Sequence, residues 1–443
     1  MLRFVLALLV FCFSFDLHAE PASFCLSNTA CSAGHHCLWG VCNSDMAPDP
    51  GPLFAVGVGR ILDLTPRGEA ETVIARFREV LVRQLNATGF FSARVYRRES
   101  QILDTPGELA RRGVAYWIQG RVVEINEVAV TIQIEVINTM ASRPILALGL
   151  QLSDRRDDLD DVVTHWVNRM VEHFTGRPGL LGTRFTCVRK NGWGKKEVMT
   201  FDFGEEAGLQ ITHDGSLAVL PAWTPDGRVA FTSFKSGQAL VYIQGVAAPF
   251  ADFPPMATGI HWSPDGSLAV LTLNIDENPE IYVIEGASGA MIARLTTHTA
   301  IDTTPRFAPD GASIAFVSDR SGSPQLYLMD PNGLNKRRLT VEGAYNTSPA
   351  WHPNGRYIAY TARRGGFQID VIDLETHQVR QLTHGPGDNE EPSFSQDGRY
   401  ILYTRALHKR KDLYIMNADG SGKRRINADD GVYSNPVWEW PPR

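Results

Sequence analysis

The sequence predicts a multidomain protein in which a small α/β N-terminal domain is followed by an all-β six-bladed propeller, with a short disulfide-rich segment in front. Three observations support this fold class. Helical and strand periodicities alternate up to about residue 178, and strand patterns alone fill the remainder. That second region repeats an aromatic–turn–strand unit at steps of 39, 45, 44, 43 and 44 residues, and a period in the forties built from short strands is typical of propeller blades.

The repeated unit is clearest at residues 307–316, which read FAPDGASIAF. An aromatic residue ends one strand, Pro, Asp and Gly meet the backbone requirements of a tight turn, and a small apolar strand follows. The strands QLYLMD and RRLT complete the unit, which gives four strands, the number in a propeller blade. The aromatic anchors of the successive units are Trp223, Trp262, Phe307, Trp351, Phe394 and Trp438.

The spacing of the anchors also predicts how many blades there are and how the ring closes. Residues 184–443 number 260, which corresponds to six units of about 43 residues. The unit that contains the last anchor lacks three strands. Three strands that belong to no other unit are predicted between residues 184 and 212, at RFTCVRK, KKEVMTFDF and GLQIT. We therefore expect the C-terminal strand to pair with these three and to remove a free sheet edge.

Residues 54–178 carry the α/β pattern. Strands are predicted at FAVGVG, SARVYRR, AYWIQGRVVEI and VAVTIQIEVI. One helix is predicted from the four-residue spacing of Val73, Phe77, Leu81 and Leu85, and a second at residues 159–174. The acidic residues at the start of the second helix complement the helix dipole, which we favour over a metal cluster; they are Asp157, Asp158, Asp160 and Asp161.

The N-terminus carries the marks of export. Residues 1–19 combine Arg3, an apolar run and a small residue at Ala19, which predicts a cleaved signal peptide and an exported protein. Phe11 and Phe24 precede Cys12 and Cys25, where a lipoprotein signal requires a small residue, so we expect a protein that is not inserted in a membrane. Residues 46–53 are rich in Pro and Gly and predict a linker.

Residues 20–45 hold four closely spaced cysteines, Cys25, Cys31, Cys37 and Cys42. In an exported chain they predict two disulfides, with three pairings possible. A zinc site that also uses His35 and His36 is the alternative, but the CxxC pairs typical of such sites are absent from the segment. Cys187 lies in an apolar strand and is expected to be a buried, unreactive thiol.

The net charge of −6 argues against nucleic acid as a partner, because phosphate binding requires a basic face. The short basic clusters are scattered and balanced by acids, and we interpret them as solvated hairpin edges. We expect a monomer with no cofactor.

The predicted signal peptide, the α/β domain and the propeller built on P-x-[WF]-[ST]-P-D-G-x-x-[IL]-A-[FYV] together resemble the TolB family, the periplasmic propellers of the Tol-Pal envelope system. The resemblance spans about residues 53–443 and includes the stretch FTGRPGLLGTRF between the two domains. It implies a non-enzymatic scaffold that binds the peptidoglycan-associated lipoprotein Pal and supports outer-membrane integrity and invagination during cell division. Family members bind Pal where the chain enters the innermost strands, and they contact TolA through a flexible N-terminal arm.

The matching entrance segments here are MATGIHW, AIDTTPRF, AYNTSPAW, GDNEEPSF and VYSNPVW. The resemblance places a partner-binding ring at their polar positions, which are Thr258, Asp302, Thr303, Asn346, Thr347, Asn389, Glu390, Ser434 and Asn435. The alternative is that these residues only stabilise the local turns, since Asp, Asn, Ser and Thr beside proline commonly cap turns. The cysteine-rich start stands where the family has this flexible arm, through which the resemblance implies a contact with a TolA-like protein.

Two enzyme classes compete with the scaffold hypothesis. A serine hydrolase would need a G-x-S-x-G elbow and a further α/β domain, and residues 286–289 (GASG) read as a hairpin turn instead. A metal-dependent propeller that processes polysaccharide could use His213, His298 and His384, each of which follows a strand end, but we favour solvated loop histidines. An exported propeller that senses a peptidoglycan-type ligand is the third alternative.

Overall fold

A computed structural model describes residues 54–65, 70–96, 105–125, 129–153, 156–176, 178–191, 194–205, 208–254, 256–427 and 429–439. The predicted signal peptide, cysteine-rich segment and linker, and with them Cys25, Cys31, Cys37 and Cys42, lie outside the described residues. The chain divides into two units, Met1–Thr183 and Arg184–Arg443.

The first unit contains a five-stranded sheet in the order β2-β1-β3-β4-β5. Strand β1 runs parallel to β2 and β3, whereas the pairs β3–β4 and β4–β5 are antiparallel. The elements along the chain are β1 (Phe54–Asp63), α1 (Glu71–Ala87), β2 (Phe91–Val95), α2 (Pro106–Arg111), β3 (Tyr116–Ile125), β4 (Ala129–Asn138), β5 (Arg143–Ser153) and α3 (Arg156–Thr175).

Helix α1 forms where the apolar spacing predicted it, with a small rotation of the buried face. Phe77, Leu81 and Leu85 are fully buried, but Ile74 is buried in place of Val73, which is half-buried. Helix α3 contacts α1 through Asp160, whose carboxylate lies 2.5 Å from the guanidinium of Arg83. This acidic residue therefore serves a helix–helix ion pair.

The second unit is a propeller of six antiparallel blades. Four consecutive blades have four strands each, paired in chain order: β12 (Ala257–Trp262) to β15 (Met291–Arg294), β16 (Asp302–Phe307) to β19 (Arg337–Arg338), β20 (Asn346–Trp351) to β23 (Val379–Gln381), and β24 (Asp388–Phe394) to β27 (Arg424–Arg425). Their middle strands are β13 (Leu268–Leu273), β14 (Glu280–Glu285), β17 (Ile314–Ser318), β18 (Gln325–Met329), β21 (Tyr357–Arg363), β22 (Phe367–Asp373), β25 (Tyr400–Leu407) and β26 (Arg410–Asn417). The six-bladed propeller predicted from the repeat is confirmed.

The blade that precedes these four departs from the four-strand expectation. It consists of β9 (Ala218–Trp223), β10 (Val229–Ser233) and β11 (Leu240–Ile243), and its fourth strand is reduced to a single bridge between Val241 and Ala251. The segment that would form this strand contains Pro249, Pro254 and Pro255, and proline cannot donate a ladder hydrogen bond.

The remaining blade joins the two ends of the propeller. Strand β28 (Val432–Trp438) pairs with β6 (Arg184–Lys190), which continues to β7 (Lys196–Asp202) and β8 (Leu209–Gln210). Across this junction the guanidinium of Arg184 donates to both carboxylate oxygens of Glu439, at 3.0 and 2.5 Å. Glu439 is only 6% exposed, so the ion pair is shielded from solvent on one side.

Candidate functional site

Six innermost strands, β9, β12, β16, β20, β24 and β28, share one pattern that sets the geometry of the channel. In each strand a buried residue is followed by a half-buried one, and we number these two residues as positions 1 and 2. The residue at position 3 has a positive φ in all six strands. Each strand also shifts register against its neighbour at this point, which is a β-bulge that re-aims the side chain. The six residues are Leu220, Gly259, Thr304, Ser348, Glu391 and Asn435.

The second position of the same strands contains most of the predicted partner residues. Their side chains are half-buried, at the end where the chain enters the innermost strand. We call this set the entrance ring, and it consists of Thr258, Thr303, Thr347, Glu390 and Ser434. Asn435 comes next along the chain, at the bulge position, and is also half-buried.

Three predicted residues occupy the first position and are buried instead. Asp302 is 0% exposed and accepts a hydrogen bond from Arg320 at 2.6 Å. The amides of Asn346 and Asn389 donate to the side-chain oxygens of Gln325 and Gln368, at 2.7 and 3.0 Å. These three side chains hold the entrance in shape from below, and they are not on the surface that a partner would meet.

Glu391 links two neighbouring strands of the ring. Its carboxylate accepts hydrogen bonds from the backbone N–H and the amide of Asn435, at 2.8 and 2.9 Å, and from the hydroxyl of Thr404 at 3.0 Å. Lys411 lies 3.1 Å from Glu390 and 3.4 Å from Glu391. Both acids are thus already paired, and their orientation is fixed before any partner arrives.

Below the entrance ring, residues of all six innermost strands line one cavity with a volume of about 160 Å³. The fifth positions of five strands face it, and they are His261, Arg306, Ala350, Ser393 and Val437. Burial lowers the pKa of Arg306 to about 10. Burial and then the nearby Arg306 charge lower the pKa of His261 to about 3, so the imidazole is neutral at physiological pH. Consistently, its Nδ1 atom accepts a hydrogen bond from the Phe307 backbone at 3.3 Å.

The histidines of the metal-enzyme hypothesis do not form a cluster. His213, His298 and His384 are all exposed, and within the described residues no group of three His, Cys, Asp or Glu side chains could hold a metal ion. Cys187 is fully buried as predicted, and burial raises the pKa of its thiol above the usual range.

Sequence reasoning missed the inner lining of the channel, in particular Thr304, Arg306 and Glu391. A signal for Arg306 was present, because the equivalent positions are small or apolar in four of the other repeats, as at Ala222, Ala350, Ser393 and Val437. The bulge positions had no comparable signal, since Leu and Thr rarely adopt a positive φ.

Comparison with known families decides the relationship. The family model described as the TolB beta propeller domain, PD40, matches residues 171–441, more than half of the chain. The chain belongs to the TolB family. A protein TolB homolog of Chlorobium luteolum is 37% identical over 319 residues, which cover 71% of this chain and 72% of the relative. The Tol-Pal system protein TolB of Bordetella pertussis is 34% identical over 184 residues, which cover 40% of this chain and 42% of that TolB.

The solved structures support the same architecture. The crystal structure of TolB from Acinetobacter baumannii matches with a TM-score of 0.72 at 23% identity, and the match covers 89% of this chain and 98% of that TolB. At this identity the likeness establishes the fold. Among the described residues, no helix is both long enough and apolar enough to span a membrane.

Proposed function

We propose that the chain is a periplasmic binding protein of the Tol-Pal system, without catalytic activity, that binds a Pal-like outer-membrane lipoprotein at the entrance ring and supports envelope integrity and constriction at division. The observation that carries the proposal is the recurrence of short polar side chains at one position of successive innermost strands, in a chain that belongs to the TolB family.

The entrance ring suits a partner loop for physical reasons. Thr258, Thr303, Thr347 and Ser434 offer hydroxyl groups that both donate and accept hydrogen bonds and lose little side-chain entropy on binding. The buried pairs Asp302–Arg320 and Asn346–Gln325 lie directly beneath and hold the strand starts in place. A rigid ring needs little ordering on association, which favours affinity.

The proposal includes the export and the partners predicted from the sequence. A cleaved signal peptide at residues 1–19 would deliver a monomer to the periplasm, where disulfides could form among Cys25, Cys31, Cys37 and Cys42. The same segment would stand where a contact with a TolA-like inner-membrane protein is expected in this family.

The test is a pull-down from crosslinked cell envelopes, followed by direct titration of the recovered lipoprotein. We compare the wild-type protein with Thr303→Ile, which keeps a β-branched side chain but removes the hydroxyl from the ring. The matched control is Thr376→Ile, because Thr376 is an exposed residue in the turn between β22 and β23, at the opposite end of its blade.

We expect the wild type and Thr376→Ile to recover a Pal-like lipoprotein equally, and Thr303→Ile to bind at least about tenfold more weakly, as a loss near 1.4 kcal/mol at a central contact implies. Failure of the wild type to recover such a lipoprotein would count against the partner. Equal weakening by both substitutions would count against the entrance ring as the binding surface.

A further inference from the structure

The channel cavity contains a cation that the protein itself does not neutralise. In the described part of the chain, no carboxylate lies within 4 Å of the Arg306 nitrogens, and the single hydrogen bond of its side chain is a long one of 3.4 Å to the carbonyl of Pro305. Arg320 and Arg356 of the same propeller, in contrast, pair with Asp302 and Asp373. An unpaired guanidinium in a confined cavity costs folding free energy, which suggests that it has another role.

A second polar group in the same cavity also lacks a partner. The hydroxyl of Thr304 is buried and makes no hydrogen bond, although a buried hydroxyl is usually satisfied. Thr304 additionally holds a φ of 50°, which is strained for a β-branched residue. Thr304 is one of the residues that line the cavity, two positions before Arg306.

The other titratable residues of the cavity do not compensate the Arg306 charge. His261 is neutral at physiological pH, and its Nδ1 atom is already an acceptor for Phe307. The Glu391 carboxylate is engaged by Asn435, Thr404 and Lys411. The cavity thus holds a guanidinium that no carboxylate of the described residues neutralises.

We propose that this cavity is a carboxylate-binding site, in which Arg306 donates two parallel hydrogen bonds to the ligand oxygens. A guanidinium matches the planar fork of a carboxylate, and such charge-assisted pairs are among the strongest hydrogen bonds in proteins. A volume of about 160 Å³ accommodates a carboxylate with a short aliphatic stem, the size of acetate or of an acidic side chain. The site does not depend on the identity of the macromolecular partner proposed above.

The experiment measures binding to the full exported chain by calorimetry and tryptophan fluorescence, since Trp351 and Trp438 also line the cavity. The probes are acetate, the capped peptide Gly-Asp-Gly and its neutral counterpart Gly-Asn-Gly, all at one ionic strength set with chloride. The variants are Arg306→Gln and Arg306→Lys, with Arg228→Gln as control, because Arg228 is an exposed arginine that pairs with Asp226 in a turn.

We expect the wild type and Arg228→Gln to bind a carboxylate probe in preference to Gly-Asn-Gly, Arg306→Lys to retain part of the affinity, and Arg306→Gln to lose at least about tenfold. Binding of acetate identifies a free carboxylate as a sufficient ligand, whereas binding of Gly-Asp-Gly alone identifies an acidic side chain. Both results support the site. No preference for carboxylate, or unchanged binding by Arg306→Gln, overturns it.

Thermal unfolding without ligand separates this role from a structural one. If Arg306 serves a ligand, removing its unpaired charge leaves the melting temperature of Arg306→Gln equal to or above that of the wild type. A lower melting temperature, together with unchanged probe binding, would show that the guanidinium holds the channel together and would refute the proposal.

Discussion

At the scale of single residues, the channel is shaped by a positive φ at one position of each innermost strand, a conformation that is unfavourable for most of the residues found there. Five of the six bulge positions carry a residue other than glycine at positive φ, and Gly259 alone meets the requirement without strain. Leu220 and Thr304, with φ of 51° and 50°, are the least suited to it. The bulge is thus imposed by the pairing of each innermost strand with its neighbour.

We predict that Thr304→Gly stabilises the propeller by about 1 kcal/mol. Relief of the strained φ contributes roughly 1–3 kcal/mol, and the greater backbone freedom of unfolded glycine offsets roughly 0.5–1 kcal/mol of it. Denaturant unfolding checks the value. Thr303→Gly is the matched control one residue earlier, where φ is not positive, and it should be destabilised; a loss of stability in Thr304→Gly would show that the bulge is not strained.

The pair Asp373–Arg356 gives the propeller a defined response to acid. Arg356 donates to both carboxylate oxygens of Asp373, at 3.1 and 2.7 Å, and this hydrogen bonding lowers the pKa of Asp373 from 3.8 to about 2. A depressed pKa stabilises the fold when pH exceeds the unfolded value, and the stabilisation disappears as pH falls from about 4 towards 2.

Solvent screens this partly exposed pair, so we predict that wild type and Asp373→Asn differ by about 1 kcal/mol in unfolding free energy at pH 7, and that this difference shrinks below pH 4. Unfolding curves at a series of pH values measure it. Arg356→Gln should reduce the pH dependence in the same way, because the shift requires both partners. A difference that stays constant from pH 7 to pH 2.5 would contradict the assignment.

At the scale of elements, the sequence predicted what depends on local patterns. Propeller strands such as β17 and β18 alternate or run apolar between turn residues, and the P-D-G turns repeat, so their number and order follow from counting. Strand β5 was not predicted, because Pro144 and Gly149 interrupt an apolar run that fits a helix or a strand equally well. The short helix α2 is too brief to show a period.

The candidate site was predictable in position but not in the role of each side chain. Asn346 and Thr347 are adjacent polar residues at the start of β20, and nothing local tells which one faces the channel entrance. The structure buries Asn346 because Gln325, twenty-one residues earlier, accepts its amide hydrogen, and the same arrangement joins Asn389 to Gln368. Such non-local partners decide burial, and a single sequence does not reveal them.

At the scale of the whole propeller, stability depends on the blade that joins both chain ends. Among the described residues, the C-terminal end contributes one strand to that blade, β28. Backbone pairing with β6 and the Arg184–Glu439 ion pair hold this strand in place. Arg184 also donates to the carbonyl of Gly227 and lies 4.5 Å from the ring of Trp223, so it ties the closing blade to the next one. Loss of this junction would expose strand edges on both sides.

We predict that Glu439→Leu or Arg184→Met alone destabilises the propeller by about 3 kcal/mol, and that the double substitution costs less than the two single ones together. Each single change breaks the ion pair and leaves the other charge in a partly buried place, which costs more than removing both charges. Hydrogen exchange should rise in β28 and β6 and spread to the neighbouring blades, because opening the junction frees the ring. Arg320→Met, which breaks a buried pair within one blade, should instead raise exchange mainly around β16 and β17. If the junction variants and Arg320→Met each raised hydrogen exchange only near the substituted residue and to the same extent, the junction would not control the cooperative unfolding of the ring.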